Sequence, residues 1–355
     1  MAETDERNRP PVLPGRDGTK PKKHSMTRLM PSLLATILLA LGLQVAPVQA
    51  QVFGSRTFVS AATGDDNNDC RTPVPTHVLI IFSGPCRTLQ VAHDRTNDQG
   101  EITVLDPGGY GAVTITKSIS IVNDGIGEAS ILVSGGAAGI TVDAGMGGYV
   151  NLCGITVQGI GGGAGGTGLV FNSGFSLTIT NCVFRNHTGN GINFQPSLGS
   201  HLAVSNTLVA DNALNGILIQ PTGAGSATAV IERVGLYNNS FAGLNVIGNS
   251  TTGAVDVSVT DSAAGNNGTG GGFVVQSTGA RASLMVVHSV AASNAIGIQA
   301  LGSGAVLLLG DSTLSANGTV VSASGGGQAF SFGDNYIFDA NPGLRRLIFS
   351  PISKE

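Results

Sequence analysis

The chain has 355 residues, of which 53 are glycine and none is tryptophan, and charged residues make up only 11%. With 41% hydrophobic residues, the composition argues against a disordered chain, and glycine without a three-residue period argues against collagen. The formal net charge of -4 is spread without a basic stripe, so the charge pattern gives no support to a nucleic-acid partner.

Residues 1–50 have the pattern of a secretory signal peptide. A basic segment precedes the apolar run Leu29–Leu43, and small residues at the cleavage positions predict cleavage after Ala50. Met26 is an alternative start that would give a signal of ordinary length. An uncleaved anchor is the other interpretation, but a run of about 15 residues is short for a span of roughly 20. We therefore expect a secreted or periplasmic protein with no membrane span after signal removal.

Residues 51–100 are predicted to form an N-terminal cap. Arg56–Ser60 is predicted as a strand, and Pro85–His93 is predicted as a short helix. Cys70 and Cys86 flank a polar, proline-containing loop, and export permits a disulfide between them. A repeat array needs such a cap, because its first coil would otherwise expose an apolar end and an unpaired strand edge.

Residues 101–335 consist of short predicted strands separated by turns, in which one glycine-led apolar phrase recurs. The steps average about 25 residues, a period typical of a solenoid. The phrase begins at Gly168, Gly191, Gly216, Gly243, Gly272, Gly297 and Gly318. Each repeat holds two or three strands, and parallel connections are right-handed. The sequence thus predicts an all-β, right-handed parallel β-helix of roughly nine coils, with residues 336–355 as a C-terminal tail.

A β-sandwich or barrel is the alternative architecture. It would be favoured by strict alternation with hairpin dipeptides between paired strands. The constant phase of the repeat favours the β-helix instead.

Stacking the repeats aligns two columns of polar residues. The first column closes one strand of each coil and contains Asn181, Asn206, Arg233, Asp261, His288 and Asp311. The second column comes shortly before the next glycine phrase and contains Asn186, Asn212, Asn238, Asn266, Asn294 and Asn317. Asparagine tolerates tight turns, and stacked amides form hydrogen-bonded ladders. We interpret the second column as a structural asparagine ladder.

The centre of the first column supplies the candidate catalytic residues. Arg233, Asp261 and His288 stand in successive coils, which would place them about 4.8 Å apart. His288 is the candidate general base, Asp261 its partner or the acid, and Arg233 the clamp for a substrate carboxylate. The structural interpretation is a ladder in which the two basic residues neutralise Asp261. A one-residue error in the repeat alignment would turn some of these side chains to the other face.

Aromatic residues divide into two predicted groups. Phe171, Phe184, Phe194 and Phe273 are predicted to stack in the core. The candidates for exposed stacking on a sugar ring are Tyr110, Tyr149 and Tyr237.

The cap and the first coil carry motifs that resemble one known group of proteins. Gly64-Asp65-Asp66-Asn67, Pro85-Cys86-Arg87-Thr88 and the segment 106–119, with its Pro-Gly turn and Val-Thr-Ile-Thr-Lys-Ser-Ile strand, are similar to the opening of pectin-lyase-like proteins. The resemblance covers about residues 56–335 and is to a bacterial subgroup without an assigned reaction. It implies export, a right-handed β-helix and contact with polysaccharide. It supplies no activity, because one fold hosts many functions.

Two functions follow from these observations. The first is a noncatalytic exported β-helix that binds a glycan or a cell-surface partner, or acts as a scaffold. The alternative is a polysaccharide lyase or glycoside hydrolase acting on an acidic polysaccharide through Arg233, Asp261 and His288. The coils contain no Asp-Asp pair and no Gly-His-Gly, and the single Asp-Asp, Asp65-Asp66, lies in the cap. No cofactor is expected, except Ca²⁺ under the lyase alternative.

Overall fold

The computed structural model describes residues 54–78, 81–160, 166–338 and 350–351, so the signal-peptide interpretation of residues 1–50 lies outside the described residues. Within these ranges the chain forms 33 β-strands and one α-helix, α1 (Leu89–Arg95). No helix in this part of the chain is long and apolar enough to cross a bilayer. Two short strands of the cap, β2 (Thr76–Val78) and β3 (Ile81–Ser83), form an antiparallel hairpin.

All other described strands stack into three parallel sheets. The first sheet has twelve strands. They are β1 (Gly54–Val59), β4 (Thr96–Val104), β7 (Ile119–Val122), β10 (Tyr149–Cys153), β13 (Ser176–Thr180), β16 (Ser200–Ser205), β19 (Ala227–Glu232), β22 (Val255–Thr260), β25 (Ala282–Val287), β28 (Ala305–Gly310), β31 (Gln328–Ser331) and β33 (Ser350–Pro351).

The second sheet has ten strands, most of them only three residues long. They are β5 (Gly108–Gly109), β8 (Ala129–Val133), β11 (Ile155–Gly159), β14 (Val183–Arg185), β17 (Leu208–Ala210), β20 (Gly235–Tyr237), β23 (Ala263–Gly265), β26 (Val290–Ala292), β29 (Thr313–Ser315) and β32 (Tyr336–Phe338).

The third sheet has nine strands. They are β6 (Val113–Ile115), β9 (Ala138–Asp143), β12 (Thr167–Ser173), β15 (Ile192–Phe194), β18 (Ile217–Ile219), β21 (Ala242–Ile247), β24 (Gly271–Gln276), β27 (Ile296–Leu301) and β30 (Thr319–Ser324). The glycines that begin the repeated phrases lie in these strands or directly before them.

The chain visits the first, second and third sheets in that order, once per coil. This confirms the predicted right-handed parallel β-helix. The strands β32 and β33 pair with β29 and β31, so pairing continues past residue 335, where the sequence placed the start of a tail. Two strands of the predicted cap, β1 and β4, already pair in the first sheet.

Strand residues alternate between the core and the outer faces of the sheets. In β22 the three valines are buried, whereas Asp256, Ser258 and Thr260 face outward and are partly exposed. Equivalent inward residues stack on one another between coils, as the rings of Phe171 and Phe194 do with centroids 4.5 Å apart. All four phenylalanines predicted for the core are fully buried. This stacking gives a continuous apolar core along the axis.

The first column occupies the two-residue turn between the first and second sheets. All six members have positive φ, between 43° and 55°. Asparagine and aspartate adopt this left-handed region more readily than other non-glycine residues, which explains the composition of the column. Arg233 and His288 adopt it without that preference.

The second residue of three of these turns is a serine, and the three serines form a ladder that sequence analysis missed. Ser262, Ser289 and Ser312 are buried, and each hydroxyl donates to the carbonyl oxygen two residues earlier, at 2.7–2.8 Å. The same hydroxyls accept the backbone N–H of the equivalent residue in the preceding coil, at 3.1 Å. In these three coils, a buried serine therefore ties the turn to the equivalent turn of the preceding coil.

The second column is corrected by the structure, because its six asparagines lie in two adjacent columns. Asn186, Asn238 and Asn266 have positive φ and are not buried. The other three belong to a buried ladder, whose successive side-chain amides bond from coil to coil at 2.9–3.1 Å. Its members are Asn212, Asn239, Asn267, Asn294 and Asn317. In the pairs Asn238-Asn239 and Asn266-Asn267, either asparagine satisfies the sequence pattern. The predicted column took the first asparagine of each pair, whereas the buried ladder contains the second.

A disulfide between Cys70 and Cys86 closes a loop within the cap, and polar contacts join the cap to the first coil. Asp106 accepts hydrogen bonds from the hydroxyls of Ser60 and Tyr110 and from the backbone N–H of Ala61. Partial burial acts to raise the pKa of Asp106, but the hydrogen bonds from Ser60, Tyr110 and the backbone outweigh it and lower the pKa below its ordinary value. Tyr110 is buried, so it is not an exposed sugar platform.

Candidate functional site

Two of the three candidate catalytic residues, Asp261 and His288, lie together on the exposed edge between the first and second sheets. His288 bridges two carboxylates: its Nε2 is 2.7 Å from Asp311 Oδ2, and its Nδ1 is 3.5 Å from Asp261 Oδ1. These side chains are about half exposed. The structure therefore places Asp261 and His288 side by side, as the stacked repeats predict, and adds Asp311 to the group.

Arg233 belongs to a separate group one coil away. Its Nε donates to Asn206 Oδ1 at 2.7 Å, and its Nη1 forms an ion pair with Glu232. Both contacts hold the guanidinium toward Glu232 and the preceding coil. Arg233 thus contacts the amide of Asn206 and the carboxylate of Glu232, while His288 interacts with Asp261 and Asp311.

A shallow groove lies over the outer face of the second sheet. Its volume is about 550 Å³. We call it the Tyr237 groove, and its lining residues are Leu208, Ala210, Asp211, Tyr237, Asn238, Gly265, Asn266, Ala292 and Ser293. The floor between the coils is formed by small residues, so the groove is open along the axis.

Two glycines determine how the aromatic ring lies in the groove. A Cβ atom on Gly235 would come within 2.6 Å of Tyr237 Cε2, and one on Gly265 would come within 3.2 Å of Tyr237 Cδ1. The ring therefore lies across the glycines of its own strand and of the next coil. Tyr237 remains 39% exposed, which leaves part of the ring accessible to a ligand.

Polar side chains line one side of the Tyr237 groove. They form a chain of exposed side chains in which Asn266 Nδ2 donates to Asn238 Oδ1, and Asn238 Nδ2 donates to Asp211 Oδ1, both at 2.9 Å. Since neighbouring strands lie about 4.8 Å apart, this side presents hydrogen-bonding groups at that repeat. The arrangement suits an extended ligand with repeating hydroxyl groups.

Tyr149 lies on a different surface, the outer face of the first sheet. It is 53% exposed, but its ring contacts Phe175 with centroids 5.1 Å apart. Phe175 in turn contacts the ring of His201 at 5.0 Å. These rings contact one another at tilted and edge-on angles, whereas the ring of Tyr237 lies on glycine residues. We therefore place the candidate site at Tyr237.

The side chains on these surfaces do not form a metal-binding group among the described residues. Among the residues that the structure describes, no three His, Cys, Asp or Glu side chains are grouped so as to hold a metal ion. The shape of the Tyr237 groove is set by the register of the strands that form its floor.

Comparison with known proteins identifies the fold. The crystal structure of pectate lyase Pel9A is similar to this chain, with a TM-score of 0.58 and 17% sequence identity, over 81% of this chain and 77% of that chain. No family model and no curated protein matches the chain. The chain thus has the pectin-lyase-like parallel β-helix fold, which its cap motifs resemble.

Proposed function

We propose that the protein is an exported, noncatalytic β-helix that binds a glycan in the Tyr237 groove. The observation that carries this proposal is the partly exposed Tyr237 ring, which lies on glycine beside a row of exposed hydrogen-bonding side chains. An aromatic ring offers an apolar face to the C–H face of a sugar, and carboxylates and amides accept and donate to its hydroxyls. The fold is shared with a pectate lyase, but a shared fold does not transfer an activity.

The shape of the groove favours a polymer over a small molecule. Small-molecule sites enclose most of the surface of their ligands. The Tyr237 groove is instead open along the helix axis, and Gly265 and Ala292 of the next coils continue its floor. A polysaccharide chain could lie across several coils and repeat the same contacts.

Two features support export. Residues 1–50 have the signal-peptide pattern, and the disulfide between Cys70 and Cys86 belongs to proteins of oxidising compartments. We therefore propose a secreted or periplasmic location, in which cell-wall or surface glycans would be accessible ligands.

Removing the aromatic ring tests the proposed site. Tyr237→Ala is expected to weaken binding to the polysaccharide roughly 3- to 10-fold, because an aromatic contact contributes about 0.5–1.5 kcal/mol. Binding is measured by affinity electrophoresis in gels that contain a panel of soluble polysaccharides. Tyr149→Ala, which removes an exposed tyrosine from another sheet, is the matched control and should bind like the unmodified protein. Equal binding by all three proteins would contradict the assignment of the groove.

One observation favours the catalytic alternative as a second candidate. The imidazole of His288 lies between Asp261 and Asp311, which is a geometry for proton transfer to or from a bound substrate. The protein is incubated with acidic and neutral polysaccharides, with and without Ca²⁺, and unsaturated products and new reducing ends are measured. Product that is lost in folded Asp261→Asn and His288→Ala variants would establish an enzyme. Retention of the polymer without any product would support binding alone.

A further inference from the structure

We infer that the ligand of the Tyr237 groove is a neutral linear polysaccharide that lies parallel to the helix axis, between Tyr237 and Phe338. This inference rests on the proposed function and adds the charge class and the direction of the ligand. It is carried by the strand register of the second sheet, by two exposed aromatic residues at its end, and by the charges along the path.

The register connects Tyr237 to a second aromatic residue through small side chains. Tyr237 pairs with Gly265, which pairs with Ala292, then with Ser315 and finally with Phe338. These five residues form one outward row across five consecutive coils. Four steps of about 4.8 Å separate its aromatic ends, or about 19 Å. The small residues between them leave an even floor on which several sugar rings could lie.

The neighbouring outward row ends in another exposed ring. Gly235, Ala263, Val290, Thr313 and Tyr336 are paired in the same way. Tyr336 is 71% exposed and Phe338 is 77% exposed. Large apolar side chains this exposed at the end of a groove are typical of binding surfaces. Together with Tyr237, they give the path an aromatic contact at each end.

The charges along this path disfavour an acidic polymer, because the row from Tyr237 to Phe338 itself contains no charged side chain. Between residues 234 and 338 the sequence has four aspartates, no glutamate, no lysine and a single arginine. That residue, Arg281, forms an ion pair with Asp256 at 2.6 Å. The one histidine, His288, is already between Asp261 and Asp311. Arg233, in the same coil as Tyr237, is likewise paired with Glu232. A uronate carboxylate on this path would therefore have to compete with protein carboxylates for each of these cations, at a cost in affinity.

A neutral sugar avoids this repulsion. Its hydroxyls can donate to the carboxylate of Asp211 and can exchange hydrogen bonds with the amides of Asn238 and Asn266, which line the groove. The structure therefore combines donors, acceptors and stacking surfaces in a form that suits uncharged hydroxylated rings.

Charge class is tested with the purified exported protein in gels that contain a neutral glucan, a neutral galactomannan or polygalacturonate, at low and high ionic strength. The expected result is retardation by a neutral polymer that changes little with salt, because no ion pair is involved. Retardation by polygalacturonate alone would overturn the inference and leave glycan binding intact. Retardation by none of the polymers would overturn the proposed function itself.

Direction is tested with variants at the two ends of the path. Phe338→Ala and Tyr237→Ala are each expected to weaken binding roughly 3- to 10-fold, and Ala292→Gln, which adds bulk to the middle of the floor, should also weaken it. Tyr149→Ala is the control, and thermal unfolding checks that each variant is folded. Loss of binding in Tyr237→Ala together with unchanged binding in Phe338→Ala and Ala292→Gln would overturn the axial path while the groove remains a binding site.

Discussion

Single residues in the left-handed backbone region fix the point at which each coil turns from the first sheet to the second. Asn206, Asp261 and Asp311 suit this conformation, whereas Arg233 and His288 adopt it at a cost. Residues held in an unfavourable conformation concentrate at functional sites. The two residues that break the Asn/Asp pattern are also those whose side chains contact neighbouring carboxylates, Arg233 with Glu232 and His288 with Asp311.

Asp106 is the residue on which the junction of cap and first coil depends. Asp106→Asn is expected to lower the free energy of unfolding by about 1–2 kcal/mol, because the carboxylate accepts bonds from Ser60, Tyr110 and Ala61 that an amide cannot fully replace. Urea unfolding at neutral pH measures this, with Asp124→Asn, at an exposed position of the next coil, as the control.

The same substitution carries a pH prediction. The pKa of Asp106 is lower in the folded protein than its ordinary value of 3.8, so its contribution to stability is complete above 3.8 and is lost as the pH falls through the folded pKa. The difference in stability between Asp106→Asn and the unmodified protein should therefore shrink in acid. A difference that stays constant below pH 3.8 would show that the carboxylate charge is not what matters.

The turns between the second and third sheets are held by the buried asparagine ladder, whose side chains hydrogen-bond from coil to coil. Asn239 accepts from the side-chain amide of Asn212 at 2.9 Å and donates to Asn267 at 3.0 Å and to the carbonyl oxygen of Val209 at 3.2 Å. Because the ladder is buried, removal of one member leaves donors and acceptors of two neighbouring coils without partners. The ladder therefore couples the coils as well as closing the turn.

Neighbouring asparagines distinguish the two columns experimentally. Asn239→Ala is expected to lower the free energy of unfolding by about 3 kcal/mol, because several buried polar groups lose their partners. Asn238→Gly is the matched control: it keeps the left-handed backbone accessible and removes an exposed side chain, so its effect should be below about 1 kcal/mol. Chemical denaturation compares the two, and the opposite order would contradict the register of the ladder.

The whole molecule is stabilised coil by coil, because each strand of the three sheets bonds to the equivalent strands of the coils before and after it. Such an array is weakest at its ends. The N-terminal end is covered by α1 and the disulfide-linked cap, which pack on β1 and β4. The outward surface of the middle coils is then free to form the Tyr237 groove.

Reduction of the disulfide tests this division. Opening the bond between Cys70 and Cys86 is expected to cost about 3 kcal/mol, since it closes a loop of 16 residues. Hydrogen exchange measured with and without reductant should show faster exchange in the cap and in β4, while β22 and β25 keep their protection. Equal acceleration throughout would contradict coil-by-coil stability.

The sequence by itself determined the repeat, the parallel β-helix, the core phenylalanines and the positions of the turns. These depend on local pattern: apolar residues at period two, and asparagine, aspartate or glycine wherever the backbone must reverse. It also brought Asp261 and His288 into neighbouring coils. The adjacent asparagines Asn238 and Asn239 carried no such information, because both satisfy the same pattern.

Only the tertiary structure decided which side chains share a surface. The ring of Tyr237 lies on Gly265, which is 28 residues away in the chain, and the row continues to Phe338 through the register of three further strands. Register is fixed by hydrogen bonds between coils, and a slip of one residue would turn every such side chain to the other face. Tyr110 shows the same limit, because burial against the cap removed it from the surface.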